Sequence, residues 1–370
     1  MSFRLTALAE RLPASVPFVG PEHIERASKR PFLARLGANE SVFGPSPKAV
    51  QAMAEAARQT WQYGDPEYHD LRRAIAAHHG VSPRCVVAGE GIDGLLGYLV
   101  RLTVAPGDVA VTSAGAYPTF AYHVTGYGGR RATVPYKDDH EDPDALVAKA
   151  RETDARLIYL ANPDNPMGSW HEAPVIEEMI SRVPDGTLLV LDEAYADTAP
   201  AGSIPPLDTS DRRVIRMRTF SKAHGLAGLR VGYAIGHPDL IAAFDRVRNH
   251  FGLGRVAQAG ALAALSDQAH LDETVARIAD SRQQIARIAE ENGLKALPSA
   301  TNFVAVDCGR DGDFARAVLA ALASRGIFIR MPGVVPLDRC IRISCGAPED
   351  MALLAEALPA ALQEAADTAK

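Results

Sequence analysis

Lys222 stands in a stretch whose residue types can hold an anion and present an amine at the same time: residues 218–233, Arg-Thr-Phe-Ser-Lys-Ala-His-Gly-Leu-Ala-Gly-Leu-Arg-Val-Gly-Tyr. An apolar run at 214–217 precedes it. Two hydroxyls, Thr219 and Ser221, and the fork of Arg230 suit a phosphate, and a lysine among them has an amine free to form a Schiff base. A surface lysine and arginine on a strand-loop-strand crossover is the plain alternative, which a bare Ser-x-Lys would not exclude.

A second group decides between them. Asp192 follows the apolar run 188–191 and opens Asp-Glu-Ala-Tyr195. A carboxylate at the end of a buried strand is partly desolvated and couples strongly to a cationic partner. Beside a pyridine nitrogen it keeps that nitrogen protonated, so the ring accepts the electrons released when a Cα proton leaves. Lysine, phosphate ligands and carboxylate together point to pyridoxal 5′-phosphate.

The 218–233 stretch resembles the signature of fold-type I aminotransferases, and its Arg-Thr-Phe-Ser-Lys-x-x-Gly-Leu-Ala-Gly-Leu-Arg-Val-Gly-Tyr form resembles histidinol-phosphate aminotransferases. The resemblance implies three catalytic residues, Lys222, Asp192 and Tyr195. It also implies that Tyr195 and Asn165 hydrogen-bond the cofactor's phenolic oxygen, that Tyr117 stacks on the ring, and that Asn39 borders the substrate. The phosphate would be held by the Gly91 loop with the N–H groups of Ile92 and Asp93, by Thr219, Ser221 and Arg230, and by Tyr63 from a second subunit of a homodimer. Arg342 matches the arginine for a substrate carboxylate, and Arg330 would take the other end. The implied reaction moves an amino group from a small-molecule donor, best matched by histidinol phosphate, to a 2-oxo acid such as 2-oxoglutarate. An aromatic amino acid transaminase and an amino-acid phosphate decarboxylase on the same scaffold remain open. Three departures bear on turn geometry: Asp164 for Asn and Met167 for Thr in Pro163-Asp-Asn-Pro-Met-Gly168, and Tyr117-Pro-Thr-Phe120 where Pro-Thr-Tyr is commoner.

Gly89-Glu-Gly-Ile-Asp-Gly94 raises a rival, because Gly-x-Gly-x-x-Gly between a strand and a helix also marks NAD-dependent dehydrogenases. That reading needs an acid about twenty residues on, at the end of the next strand. The strand expected at 109–112 ends instead in Ser113-Ala114-Gly115. What remains is a helix N-terminus that any phosphate-bearing cofactor can use.

The elements that must position these groups alternate. Strands are expected at 85–88, 109–112, 131–134, 157–161, 188–191, 214–218 and 231–236, with helical segments between most of them, which predicts an α/β fold with a mainly parallel sheet. In such sheets ligands sit at the carboxyl ends of strands. The run 162–168, Asp192 and Lys222 all fall there. Ser46 and Pro47 predict a helix start, with an apolar face of Val50, Met53, Ala54, Ala57 and Trp61 ahead of the turn Tyr63-Gly-Asp-Pro66. A long helix is expected from Arg255 to Glu291. Beyond it, strands at 303–306, 327–330 and 340–344 and helices at 312–324 and the C-terminus predict a smaller α+β domain. The expected division is a large cofactor domain over 40–270 and a small domain from 1–39 plus 271–370.

At 370 residues two domains are expected. The net charge of −6, from 39 basic and 45 acidic residues spread along the chain, gives no reason to expect nucleic acid or an anionic membrane. No helix-turn-helix precedes the core, as a transcription regulator on this scaffold would need. Four cysteines, Cys85, Cys308, Cys340 and Cys345, lack metal-ligand spacing, so neither a metal site nor a disulfide framework is expected. Residues 1–20 contain no continuous apolar run, so no signal peptide or spanning helix is expected and the location is read as cytoplasmic.

Overall fold

A computed structural model describes residues 3–13 and 19–368. Parts of the N-terminal reading, residues 1, 2 and 14–18, lie outside the described residues. In chain order the strands are β1 (Ala34–Arg35), β2 (Val86–Gly89), β3 (Val109–Ser113), β4 (Arg130–Val134), β5 (Leu157–Ala161), β6 (Leu188–Asp192), β7 (Val214–Thr219), β8 (Gly232–Gly236), β9 (Lys295–Ala296), β10 (Phe303–Asp307), β11 (Ile327–Phe328) and β12 (Cys340–Ser344).

Seven of them form one sheet in the order β2-β8-β7-β6-β5-β3-β4, parallel from β7 through β4, with β8 antiparallel to both of its neighbours. The inner strands are apolar on both faces because both faces are covered. One cluster packs Leu95, Leu96 and Leu99 of the helix Gly91–Thr103 against Leu157, Tyr159 and Val190. Another packs Leu146 and Ile176 against Ile158, Leu160 and Leu191. A fully buried leucine in such a cluster contributes about 1.5–3 kcal/mol by area. Six strands therefore point their carboxyl ends at one edge, where Lys222, Asp192 and Asn165 lie.

A three-stranded antiparallel sheet, β12-β10-β9, carries the helices Gly312–Ser324 and Pro348–Thr368 and the helix Gln268–Glu291. Its core includes Ala34 and Leu36, and β1 pairs in parallel with β11, so the N-terminal segment packs with the C-terminal third.

The structure corrects four expectations. The helix from Arg255 breaks into Arg255–Ser266 and Gln268–Glu291 at Asp267, which leaves helical geometry and takes an ion pair from Lys48 at 2.8 Å; Ser and Asp compete with helical hydrogen bonding. The helix Pro47–Ala57 stops short of Trp61, which is 81% exposed, and leaves Val50 49% exposed. The strand expected at 85–88 begins at Val86, since Cys85 closes a 3-10 turn. β11 ends at Phe328, and Arg330 instead forms an isolated antiparallel bridge with Arg342.

Candidate active site

Lys222 follows β7, and its amine lies inside a cavity of about 430 Å³. Nζ donates to the backbone oxygen of Asn39 at 3.2 Å. Burial, then the charge of Arg342, pushes the amine's pKa down to about 8. A neutral, nucleophilic amine is thus accessible near physiological pH. Asn39 is the hub that holds it. This residue is buried in the left-handed region at φ +54°, which asparagine tolerates better than most. Its amide donates to Tyr195 Oη at 3.1 Å, its N–H donates to Ser344 Oγ at 3.0 Å, and its carbonyl also accepts from Asn302 Nδ2 at 2.9 Å.

Asp192 ends β6 on the same cavity. Its carboxylate accepts from Tyr159 Oη at 2.7 Å and from the N–H of Ala194 at 2.9 Å. Burial nevertheless raises its pKa to about 6, outweighing these hydrogen bonds and the charge of Lys222, and among the described residues it forms no ion pair. Behind it the buried Glu193 binds both Arg216 and Arg218, and Arg216 also donates to the carbonyls of Pro205 and Pro206. This network ties β6 to β7 and so fixes Asp192 relative to Lys222.

The anion end is set by register. Gly232 pairs with Gly89 on one side and Thr219 on the other, which brings the N-terminus of the helix Gly91–Thr103 beside Ser221 and Arg230. Glycine is required there. A Cβ on Gly232 would lie 2.8 Å from Gly91 C and Ile92 N, and one on Gly91 would lie 2.6 Å from Arg230 Nη2. Arg230 Nη1 donates to Ser221 Oγ at 3.3 Å, and Ile92, Asp93, Thr219, Ser221 and Arg230 all line the cavity. First-turn N–H groups, two hydroxyls and a guanidinium make an anion cradle.

On the far side Tyr117, whose hydroxyl donates to Asp93 Oδ1 at 3.1 Å, and Tyr195 form the walls, and burial raises both phenol pKa values. Arg342 donates to Asn165 Oδ1 and to the carbonyl of Gly37, while its buried Nε has no partner among the described residues. Burial lowers its pKa to about 10. A cation with an unused donor is a ready receptor for a carboxylate or phosphate. Arg330 is joined to Arg342 by the two backbone hydrogen bonds of their bridge and donates from Nη2 to the carbonyl of Val19 at 2.6 Å.

The departures in the 163–168 turn have a structural reading. Asp164 Oδ2 accepts the N–H of Met167 at 3.0 Å, a capping role asparagine also fills, and Met167 is buried among Leu297, Ala305 and Leu337 where a threonine hydroxyl would lack company. Burial raises the pKa of Asp164 to about 7, and burial with the nearby Asp164 charge pushes Glu141 well above the usual carboxylate range. Tyr63 is not brought to the cavity within the chain; it is 80% exposed and packs on Phe251 at 4.9 Å. Sequence reasoning missed Tyr159, Asn302 and Ser344. A tyrosine inside the apolar run 157–161 signals a buried hydroxyl that needs a partner. Asn302 and Ser344 carry no such signal.

A mainly parallel sheet with this lysine, aspartate and anion cradle at its carboxyl edge defines the class: the model for aminotransferases of class I and II matches residues 33–358, and the chain belongs to that family. Within it, the chain is 37% identical to histidinol-phosphate aminotransferase 1 of Mesorhizobium japonicum, over 86% of this chain and 87% of that one. It is 33% identical to histidinol-phosphate aminotransferase of Moorella thermoacetica, over 90% and 86%. The crystal structure of histidinol-phosphate aminotransferase from Sinorhizobium meliloti in complex with pyridoxal-5′-phosphate superposes with a TM-score of 0.95 at 54% identity, covering 98% of each chain.

Proposed function

We propose that the chain is a pyridoxal 5′-phosphate-dependent aminotransferase whose amino donor is histidinol phosphate and whose acceptor is a 2-oxo acid such as 2-oxoglutarate. The observation that carries this reading is one buried amine, Lys222 Nζ, in a cavity with a strand-end carboxylate and a glycine-shaped anion cradle. The residues fit the cofactor: Lys222 would bind it covalently, Asp192 would meet its ring nitrogen, Tyr117 would cover the ring, Tyr195 and Asn165 would reach its phenolic oxygen, and Gly91, Ile92, Asp93, Thr219, Ser221 and Arg230 would hold its phosphate. When bound, the cofactor supplies a carbonyl carbon for the donor's amine and a ring that accepts the electron pair left at Cα.

The chain's own residues supply the rest. Lys222 Nζ, with its pKa down at about 8, would take the proton from the substrate's Cα and hold it for return. Asp192 would keep its charge by meeting a protonated ring nitrogen. Arg342 Nε and its fork orient the substrate's anionic end. Histidinol phosphate has no α-carboxylate, so orientation needs a cation that reaches its phosphate, and Arg330, whose backbone bridges to Arg342, would supply it. An aromatic donor needs only Arg342 and an apolar slot.

Adding amino donors singly to the holoenzyme is expected to convert the cofactor absorbance to the pyridoxamine form fastest with histidinol phosphate. Arg330→Ala should cut that rate by about 30-fold, roughly 2 kcal/mol, and change phenylalanine little. No conversion by histidinol phosphate in the wild type would leave an aromatic transaminase as the better description.

We also infer a homodimer with Tyr63 reaching the partner's phosphate, supported by the exposure of Tyr63, Trp61 and Phe251 on one turn region. Mixing Lys222→Ala and Tyr63→Ala chains under exchange conditions should restore about a quarter of wild-type sites by random pairing; activity no higher than the parents would place Tyr63 outside the shared site. We divide the chain into a large domain over 40–270 and a small one from 1–39 plus 271–370, supported by a core on each sheet, the two joined where Met167 packs against Leu297, Ala305 and Leu337. Limited proteolysis that cuts preferentially inside either core would contradict the division. Among the described residues no helix is long and apolar enough to cross a membrane. The four free, buried cysteines support a reducing compartment, the cytoplasm, which fractionation would check.

A further inference from the structure

A second cleft of about 500 Å³ adjoins the cavity and shares Tyr117, Asn165 and Lys222 with it. Its basic lining, Arg131, Lys222, Arg330 and Arg342, faces no aspartate or glutamate. The last three have tasks in the proposed reaction. Arg131 has none, and among the described residues its side chain makes no hydrogen bond or ion pair. Its neighbour Arg130 behaves as an ordinary edge-strand arginine, donating from Nε to the carbonyl of Gly107 at 2.9 Å.

Register places Arg131 for more than solvent exposure. It lies on the edge strand β4 opposite Ala110, and the next pair along the same face is Thr112 with Thr133. Thr112, only 5% exposed, also lines the cleft, and its hydroxyl is buried without a partner. A buried hydroxyl left unpaired costs about 1–3 kcal/mol unless something else meets it. The cleft is roofed by residues 331–334, with Val334 so close to Gly115 that a Cβ there would lie 2.4 Å from it. Three arginines in a roofed cleft repel one another, and an anionic ligand offsets that cost.

We propose that Arg131 and the Thr112 hydroxyl form an outer anion subsite of this cleft, which captures the distal anionic group of doubly charged substrates on their way to Lys222. The inference rests on the aminotransferase reading and specifies its substrate class: donors and acceptors with two anionic charges on one molecule, or a dianionic phosphate. An exposed cation at the mouth of a cleft acts on encounter and KM more than on the chemical step.

The test compares wild type, Arg131→Gln and Arg131→Lys as holoenzymes. Arg131→Gln should raise KM for histidinol phosphate about 10-fold at low ionic strength and leave kcat within about twofold. KM for phenylalanine should not move, and Arg131→Lys should recover most of the loss. Raising the salt should bring wild-type kcat/KM toward that of the glutamine variant. Calorimetric titration with 2-oxoglutarate and with pyruvate needs no turnover: the variant should lose affinity for the former and keep it for the latter. Equal changes for singly and doubly charged ligands, or none for either, would overturn the subsite. Failure of the wild type to use histidinol phosphate, with the calorimetric difference intact, would instead overturn the donor and leave the subsite standing.

Discussion

Asp192→Asn is expected to bind the cofactor, fold normally and lose on the order of 10³-fold in kcat. The geometry isolates the charge as the thing removed. Asparagine can still accept the N–H of Ala194 and meet the hydroxyl of Tyr159, the two contacts that hold the carboxylate now. What it cannot do is stabilise a proton on a ring nitrogen, and without that proton the electron pair left at Cα has no sink. The loss, about 4 kcal/mol in the barrier, should appear in kcat more than in cofactor affinity. The apoprotein provides a second readout whose sign is fixed by the raised pKa. Folding favours protonated Asp192, so its contribution to stability is full below the ordinary carboxylate pKa near 4 and is lost as pH rises through about 6. The asparagine variant escapes that loss. Apo Asp192→Asn should therefore be more stable than wild type by about 3 kcal/mol above pH 7, with the gain vanishing toward pH 4. Near-normal kcat with histidinol phosphate and 2-oxoglutarate would remove Asp192 from its role, whatever the unfolding data show.

The parts of this account that were legible in the sequence are those written locally. The apolar run at 157–161 and the segment 340–344, whose Ile341 and Ile343 flank Arg342, match β5 and β12 residue for residue, and the run 188–191 needed only Asp192 added. Asp192 and Lys222 could be placed at a carboxyl edge because alternation of strand and helix dictates a parallel sheet, and such a sheet has one functional edge. Long-range pairing was not legible. Asn39 is held by Ser344 and Asn302, 305 and 263 residues away in the chain, and no local pattern predicts such partners. The same applies to Asn165, whose side-chain oxygen is taken by Arg342 across 177 residues. Helix ends failed where a side chain far off decided them, as at Asp267 with Lys48. Arg131 was invisible for a different reason: an arginine on an edge strand reads as a solubilising charge until the cleft beside it is seen to hold no acid.

Everything proposed for the site turns on Lys222. Its amine is the one lysine group lining the cavity, over the face of Tyr195 at 5.6 Å from the ring centroid. Lys222→Ala should abolish turnover, a loss of at least 10⁵-fold, because both the covalent anchor and the base that moves the Cα proton go together. Loss of activity alone would also follow from misfolding, so the direct measurement is chemical. Borohydride reduction of the wild-type holoenzyme, followed by peptide mapping, should find one phosphopyridoxyl group per chain on the peptide that contains Lys222. A label on any other lysine, or none at all, would contradict the account.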